Sequence, residues 1–236
     1  MQYVLTTLII GLLILVHEAG HFLAARLVGV PVLRFSVGFG PRLISWRRGT
    51  TEYRLSAIPL GGYVIPEIGK VEDYLGIALR RRWAISLGGP LANLLVTLLL
   101  FAALNVAAGG LCIYNVLVAP WLELTGLVGQ IGHALVAAFA SPGQLSSVVG
   151  VVAFGGRSLN DGLVSALSFF ILISANLAIV NLLPLPPLDG GKMLVDLLHR
   201  FVPRFARAYV PVMACGWILL IGVLAYATVL DLARLV

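Results

Sequence analysis

Charged residues are scarce in this sequence: Asp, Glu, Lys and Arg make up only 11% of its 236 residues. An ordinary globular domain has about 25% charged residues, so this chain lacks the charge that keeps a soluble enzyme in water. The two cysteines are too few for a disulfide-stapled secreted fold. The 60% hydrophobic content and the mean hydropathy of +1.02 exclude a disordered chain. The composition therefore predicts an integral membrane protein with several spanning helices.

Four apolar stretches are long enough to cross a membrane, which takes about 20 residues in a helix. They are residues 3–30, 83–108, 163–189 and 209–230. The apolar pieces of residues 109–162 are shorter and interrupted by polar residues, and we interpret them as interfacial or partly re-entrant. The predicted fold class is an all-α polytopic membrane protein, with about four transmembrane helices in a single membrane-embedded domain.

The basic residues predict how the chain is oriented. Ten of the sixteen Lys and Arg residues lie between Arg26 and Arg82, and four more lie between the third and fourth apolar stretches. By the positive-inside rule both loops are cytoplasmic and both chain termini are extracytoplasmic. The net charge of +6 is thereby explained by topology and by contact with membrane lipids, and it does not call for a nucleic-acid partner.

The first cytoplasmic loop, residues 31–82, carries a β pattern. Polar and apolar side chains alternate in residues 34–41 and 51–58, and the Arg47–Thr50 segment between them is typical of a hairpin turn. A further strand is predicted at Gly62–Val64. We expect a small β-hairpin or sheet that is associated with the membrane.

The segment His17-Glu18-Ala19-Gly20-His21 in the first apolar stretch matches the pattern H-E-x-x-H. Positions four residues apart share a helix face, so both imidazoles can reach one metal ion, and Glu18 can take a proton from water at that metal. Ionisable groups inside an apolar span are costly and typically functional. This favours a zinc site over a helix end that happens to meet solvent.

A catalytic zinc needs a third protein ligand besides the two histidines. The Pro-rich segment before Asp189 breaks the helix, and Gly190 and Gly191 after it allow close backbone approach, so this carboxylate can turn inward at membrane depth. The alternative for Asp189 is a solvated residue at a helix C-terminus. The other candidates lie in polar, interfacial or basic segments: Glu52, Glu67, Glu72, Asp73, His133 and His199.

These motifs together resemble those of the site-2 protease family of intramembrane zinc metalloproteases. The specific matches are the His17–His21 segment and Leu188-Asp189-Gly190-Gly191. Two weaker ones are Gly88-Gly89-Pro90-Leu91-Ala92-Asn93 and the loop from Phe35 to Val64, which contains Pro59-Leu60-Gly61-Gly62-Tyr63. The bacterial branch that cleaves anti-sigma factors, the RseP-like proteins, is the most similar.

The resemblance implies roles for particular residues. His17, His21 and Asp189 are expected to hold one Zn²⁺ ion, with Glu18 as the general base. Asn181 and Asn176 are expected to bind or orient the substrate, although hydrogen bonds between helices are an alternative role for both. The first loop, with Gly61, Gly62 and Tyr63, is expected to guide a substrate strand.

The expected function is hydrolysis of a peptide bond in or near the transmembrane segment of a single-pass protein, such as an anti-sigma factor or a signal-peptide remnant. The site is expected in the cytoplasmic half of a bacterial inner membrane. RseP-like proteins usually carry PDZ domains where residues 109–161 are too short and too apolar for one; a naturally compact member and removal of that region both remain open. The alternatives are a membrane metal-ion carrier and a non-catalytic relative that binds helices. The sequence does not indicate an oligomeric state.

Overall fold

The structure is a computed structural model that describes residues 1–68, 71–140, 147–202 and 205–235. Helices make up most of it, and two strands follow the first helix. In chain order the elements are α1 (Gln2–Leu27), β1 (Val32–Arg48), β2 (Thr51–Pro66), α2 (Val71–Gly76), α3 (Leu79–Gly109), a π-helical turn (Tyr114–Val118), α4 (Ala119–Ala140), α5 (Val148–Asn160), α6 (Leu163–Asn181), α7 (Asp189–Phe201) and α8 (Ala206–Leu235). The predicted helical fold with a small sheet in the first loop is confirmed.

Four of the described helices are long and apolar enough to cross a membrane: Gln2–Leu27, Leu79–Gly109, Leu163–Asn181 and Arg207–Ala233. Much of their apolar surface is exposed in the isolated chain, as with Ile218 and Val229 of α8. Apolar surface of this extent is stable against lipid rather than water. The chain is a multi-pass membrane protein.

The third apolar stretch is divided between two helices. The sequence predicted one segment over residues 163–189, whereas α6 ends at Asn181 and α7 begins at Asp189. Pro184, Pro186 and Pro187 lie between them and have no backbone N–H to continue a helix. Asp189 is therefore the first residue of a new helix rather than the end of the old one.

The sheet is built from two strands that bend so that each contributes more than one paired segment. Residues 42–48 pair antiparallel with residues 51–56 across a turn at Gly49, whose φ of +61° favours glycine. Residues 34–37 pair on one side with 62–65, in antiparallel register. On their other side residues 34–37 pair with residues 52–55, and along this pairing the residue numbers of both segments increase in the same direction. Among the described residues, the partners of segment 62–66 all lie on one side, in β1, so this segment is an edge of the sheet.

The chain divides into two compact units. The site unit comprises Gly11–Asn93 and Val180–Trp217, and the second unit comprises Met1–Ile10, Leu94–Ile179 and Ile218–Val236. In the site unit, Ala25, Val30 and Val32 form a buried cluster at the junction of α1 and β1. Apolar side chains from β2 and α3 pack against this cluster, so the sheet is anchored to the end of α1.

Candidate metal centre

Three buried side chains from two distant parts of the chain meet in the site unit. His17 and His21 lie one turn apart on α1, and their Nε2 atoms are 3.1 Å apart. The Oδ2 atom of Asp189 lies 3.1 Å from the first Nε2 and 3.2 Å from the second. The three residues are 7%, 9% and 3% exposed, respectively. Among the described residues they form the group of potential ligands that could hold a metal ion.

The packing of α7 on the loop that precedes it positions the carboxylate of Asp189 beside the two histidines. A Cβ atom on Gly190 would overlap the backbone of Leu182, and one on Gly191 would overlap the backbone of Leu185. The first turn of α7 therefore packs directly on the loop that leads into it, and only glycine fits at either position. Asp189 is buried, so the alternative of a solvated helix terminus is wrong.

Glycines also bring α1 and α3 close together at the site. Gly20 and Gly88 face each other so closely that a Cβ on either would collide with the backbone of the other. A Cβ on Gly89 would lie against the Nε2 atoms of both His17 and His21. The Gly88–Gly89 pair therefore keeps the space in front of the two imidazoles open.

The hydrogen bonds of His21 identify its ligating atom. Its Nδ1 lies 2.7 Å from the carbonyl oxygen of Ile85, which can only accept. The backbone nitrogen of Gly89 also lies 3.3 Å from this Nδ1, but the shorter contact with Ile85 favours a proton on Nδ1, and Nε2 then presents a lone pair toward the carboxylate oxygen of Asp189. Two acceptors 3.2 Å apart in a buried site repel each other unless a cation lies between them.

The triangle of ligand atoms fits zinc. Zn–N and Zn–O bonds of about 2.0–2.2 Å at tetrahedral angles place neighbouring ligand atoms about 3.3–3.6 Å apart, so a small outward shift of these side chains accommodates the ion. The observed separations are 3.1, 3.1 and 3.2 Å. Two imidazoles and one carboxylate also leave one coordination position open, which is the pattern of catalytic rather than structural zinc.

Lys192 completes the environment of Asp189. Its Nζ donates to Oδ1 at 2.9 Å, from the next turn of α7. The two carboxylate oxygens therefore have different partners: Oδ2 faces the histidines, and Oδ1 accepts a hydrogen bond from Lys192. Lys192 was not among the predicted site residues, although its i, i+3 spacing from Asp189 in a helix is a signal that could have identified it.

The edge of the sheet lies directly beside Glu18. A Cβ on Gly62 would be 3.1 Å from Cγ of Glu18 and 2.7 Å from the carbonyl oxygen of Ser36. Glycine at this position lets the edge segment pass close to the helix that carries the H-E-x-x-H motif. The structure thus brings the predicted base and the predicted substrate-guiding strand together.

The neighbours of Gly62 are fixed by aromatic packing. Gly61 has a φ of +143°, and a Cβ there would collide with the ring of Phe39. The ring of Tyr63 stacks on Phe39 with centroids 6.1 Å apart, and its hydroxyl accepts from Arg54 at 3.4 Å. These contacts lie within the sheet, and the predicted substrate roles of Gly61 and Tyr63 stay predictions.

The two asparagines differ in their surroundings. Asn176 lies in the second unit, and its side-chain amide donates to the carbonyl of Leu172 in the same helix at 3.0 Å. Asn181 is the last residue of α6 and belongs to the site unit. A role in substrate binding and a hydrogen bond between helices both remain predictions for these residues, and the observed bond of Asn176 lies within its own helix.

Glu52, one of the other ligand candidates, already has a partner. It accepts from Nε of Arg34 at 2.7 Å, across the pairing of β1 with β2. This hydrogen bond holds the pKa of Glu52 below its usual value. The carboxylate therefore stabilises the sheet as one half of an ion pair.

A second buried charge pair holds α7 in place. Arg82 and Asp196 are 3% and 0% exposed, and Nη1 donates to Oδ1 at 2.6 Å. The hydroxyl of Tyr74 donates to the other oxygen at 3.3 Å. Burial raises the pKa of Asp196 to about 6, with Arg82 opposing that rise, so the carboxyl is mainly ionised at neutral pH. Asp196 lies two turns after Asp189 on one face of α7, so this pair anchors the helix that supplies the third ligand.

The fold and the site together define a class: a multi-pass membrane protein with a buried two-histidine, one-carboxylate metal centre of the H-E-x-x-H type. Residues 5–223 match the family model described as Peptidase family M50. The chain therefore belongs to peptidase family M50, the site-2 protease family of zinc metalloproteases.

Similar bacterial proteins are described as "Putative zinc metalloprotease". One from Chlamydia trachomatis is 36% identical over 155 residues, which cover 56% of this chain and 23% of that protein. One from Rhizobium meliloti is 37% identical over 126 residues, covering 44% and 34%, respectively. The chain thus spans about a quarter to a third of these two relatives. One from Clostridium perfringens is 23% identical in an alignment that covers 98% of both chains.

Proposed function

We propose that this chain is an intramembrane zinc endopeptidase that hydrolyses a peptide bond in or near the transmembrane segment of a single-pass membrane protein. The observation that carries the proposal is the triangle formed by Nε2 of His17, Nε2 of His21 and Oδ2 of Asp189, with sides of 3.1–3.2 Å. Membership of peptidase family M50 over residues 5–223 supports it.

The reaction is a hydrolysis, and Glu18 handles its proton. Zinc in such a site supplies a Lewis acid for the scissile carbonyl and an activated nucleophile at neutral pH. The carboxylate of Glu18 accepts a proton from the attacking water and delivers it to the leaving nitrogen. The C–N bond breaks, and a carboxylate and an amine result. The Ile85 carbonyl keeps His21 in the tautomer that leaves Nε2 as the ligand.

The edge segment 62–66 supports a way of presenting the substrate. A transmembrane helix satisfies its own backbone hydrogen bonds, so its peptide bonds are shielded until it unwinds. An unwound segment can pair with a free sheet edge, which gives affinity through main-chain bonds. Because Gly62 lies beside Glu18, a strand added at this edge would run next to the proposed base.

The orientation of the chain in the membrane is proposed from its sequence. The distribution of Lys and Arg favours cytoplasmic placement of the loops at residues 26–82 and 192–207. The metal centre then lies in the cytoplasmic half of a bacterial inner membrane, and both termini are extracytoplasmic. An anti-sigma factor or a signal-peptide remnant are the substrates that fit this placement.

Replacement of Glu18 by Gln tests the proposal. We expect cleavage of a tagged single-pass substrate in reconstituted membranes to fall by about 10²–10⁴-fold, the usual contribution of a general base, while bound zinc is retained. Glu123→Gln, a matched change in α4 of the second unit, should leave cleavage unchanged.

The alternatives predict different results. A metal-ion carrier would transport zinc and cleave nothing, and Glu18→Gln would change transport only. A non-catalytic helix-binding relative would capture the substrate and leave it intact in the wild type. Persistent cleavage by a zinc-loaded Glu18→Gln protein would refute the assignment of the base.

A further inference from the structure

A polar cavity of about 590 Å³ lies at the end of α1, in the site unit and outside the metal centre. One wall is the last turn of α1 and the residues that follow it, including Arg26, Gly29 and Pro31. The other wall is the hairpin turn between β1 and β2, with Arg48 and Thr50. Its volume lies within the range of about 300–1,000 Å³ that is usual for ligand sites.

One contact joins the two walls, and a second closes the end of α1. The hydroxyl of Thr51, which is buried, donates to the carbonyl of Val32 at 2.8 Å. This bond holds the hairpin turn beside the start of β1. The backbone of Val30 donates to the carbonyl of Ala25 at 2.8 Å and closes the end of the helix. The cavity is therefore part of the packed sheet–helix junction rather than a gap between independent loops.

The charge of the cavity has one sign. Its lining contains the side chains of Arg26 and Arg48 and no acidic residue. In the described part of the chain neither arginine forms an ion pair, whereas nearby Arg34 is paired with Glu52 at 2.7 Å. The guanidinium of Arg26 lies 5.7 Å from the ring centre of Phe22, which leaves its donors available. Two guanidinium groups facing one cavity match the planar, bidentate recognition of phosphate oxygens.

The position of the cavity identifies where its ligand comes from. α1 is long and apolar enough to span the membrane and ends at Leu27. Arg26 in its last turn therefore lies where the hydrocarbon core gives way to the headgroups. Basic pockets beside transmembrane helices at this depth bind anionic lipid headgroups.

We infer that this cavity binds the phosphate-bearing headgroup of an anionic phospholipid from the leaflet at the Leu27 end of α1. The two guanidinium groups hold the phosphate, and the acyl chains remain in the bilayer alongside α1. The site is independent of the proposed proteolytic activity, because its arginines are not part of the metal centre. A bound lipid would link the sheet, whose edge lies beside Glu18, to the membrane surface.

The test compares two double variants of equal charge. The full chain is extracted with detergent from vesicles of equal parts phosphatidylcholine and phosphatidylglycerol, and retained lipid is counted by native mass spectrometry. We expect Arg26→Gln/Arg48→Gln to weaken retention of phosphatidylglycerol by about 30-fold, the effect of two interfacial cations. Arg42→Gln/Arg47→Gln removes two exposed arginines of β1 that do not line the cavity, and it should change retention less than threefold, roughly two thirds of one such charge effect.

Controls separate folding and free phosphate from lipid binding. Both variants should bind zinc like the wild type, and Arg26→Lys/Arg48→Lys should recover only part of the retention, because it keeps the charge but loses the bidentate geometry. Inorganic phosphate should fail to displace the lipid, since it lacks the acyl chains. Equal losses in both double variants, no loss in either, or displacement by inorganic phosphate would overturn the inference.

Discussion

The two compact units bury different kinds of side chain. In the site unit, buried charged side chains of different helices contact each other. Arg82 pairs with Asp196 at 2.6 Å, and Asp189 lies between the two histidines and Lys192. The second unit relies on close packing at small residues. The side chains of Phe169 and Thr6 pack against Gly155 of α5, and the ring of Tyr3 packs against Gly156.

The second unit also buries a carboxylate. Asp231 accepts from the backbone N–H groups of Ser147 at 2.6 Å and Gly150 at 3.1 Å, at the start of α5. Close packing at glycine occurs in both units, as at Gly20 and Gly155, whereas the buried Arg82–Asp196 pair belongs to the site unit. The comparison teaches that a buried charge pair adds directional contacts to close packing on the helix that carries the third metal ligand.

The largest effect is expected at the buried pair that anchors α7. Arg82→Leu leaves Asp196 as an uncompensated buried charge, and we expect a loss of about 3–5 kcal/mol in stability, measured as the thermal denaturation midpoint in micelles. Arg80→Leu, an exposed neighbour, is the matched control. The double variant Arg82→Leu/Asp196→Leu should recover part of the loss. If both arginine variants behaved alike, charge pairing would not distinguish the site unit.

An intermediate effect is expected at Lys192. Lys192→Met removes the donor to Oδ1 of Asp189, so the carboxylate is no longer held with Oδ2 toward the histidines. We expect zinc affinity to fall by about 10–100-fold, measured by competition with a chelator. Lys192→Arg should restore most of it, and Arg200→Met, an exposed cation on the same helix, should not change it. Unchanged zinc affinity in Lys192→Met would contradict the proposal that Lys192 orients the carboxylate of Asp189.

The smallest effect is expected for packing in the second unit. Gly155→Ala forces a methyl group against Phe169 and Thr6, and we expect a cost of about 1–3 kcal/mol from overpacking. Gly129→Ala in α4 meets no atom within 4 Å and should be neutral or slightly stabilising. Denaturation midpoints of the two variants give the comparison, and equal values would show that shape is not what holds α5.

The metal centre was predictable because its signals are short-range. His17, Glu18 and His21 fall within one turn of helix, so the sequence spacing alone gives their shared face. Asp189 was identified because few acidic residues lie in apolar stretches. The pairing of Arg82 with Asp196 was not predictable, since the two residues are 114 positions apart and neither lies in a recognisable pattern.

The sheet illustrates the same limit. The alternation in residues 34–41 and 51–58 correctly predicted strands and the turn between them. It could not show that residues 34–37 pair with two segments at once, because register depends on which backbones approach. The prolines correctly predicted a break before Asp189, but the apolar segment was extended past the end of α6 at Asn181 because hydropathy continues through Leu182, Leu183 and Leu185.

The separation of the metal ligands along the chain has a consequence for biosynthesis. His17 and Asp189 are 172 positions apart, and the ribosome makes the histidines first. While the intervening helices are being inserted, α1 already lies in the membrane with two imidazoles and no carboxylate to complete them. A nascent chain that stops before Asp189 therefore lacks the third ligand, and the three-ligand centre is complete only once α7 has been made.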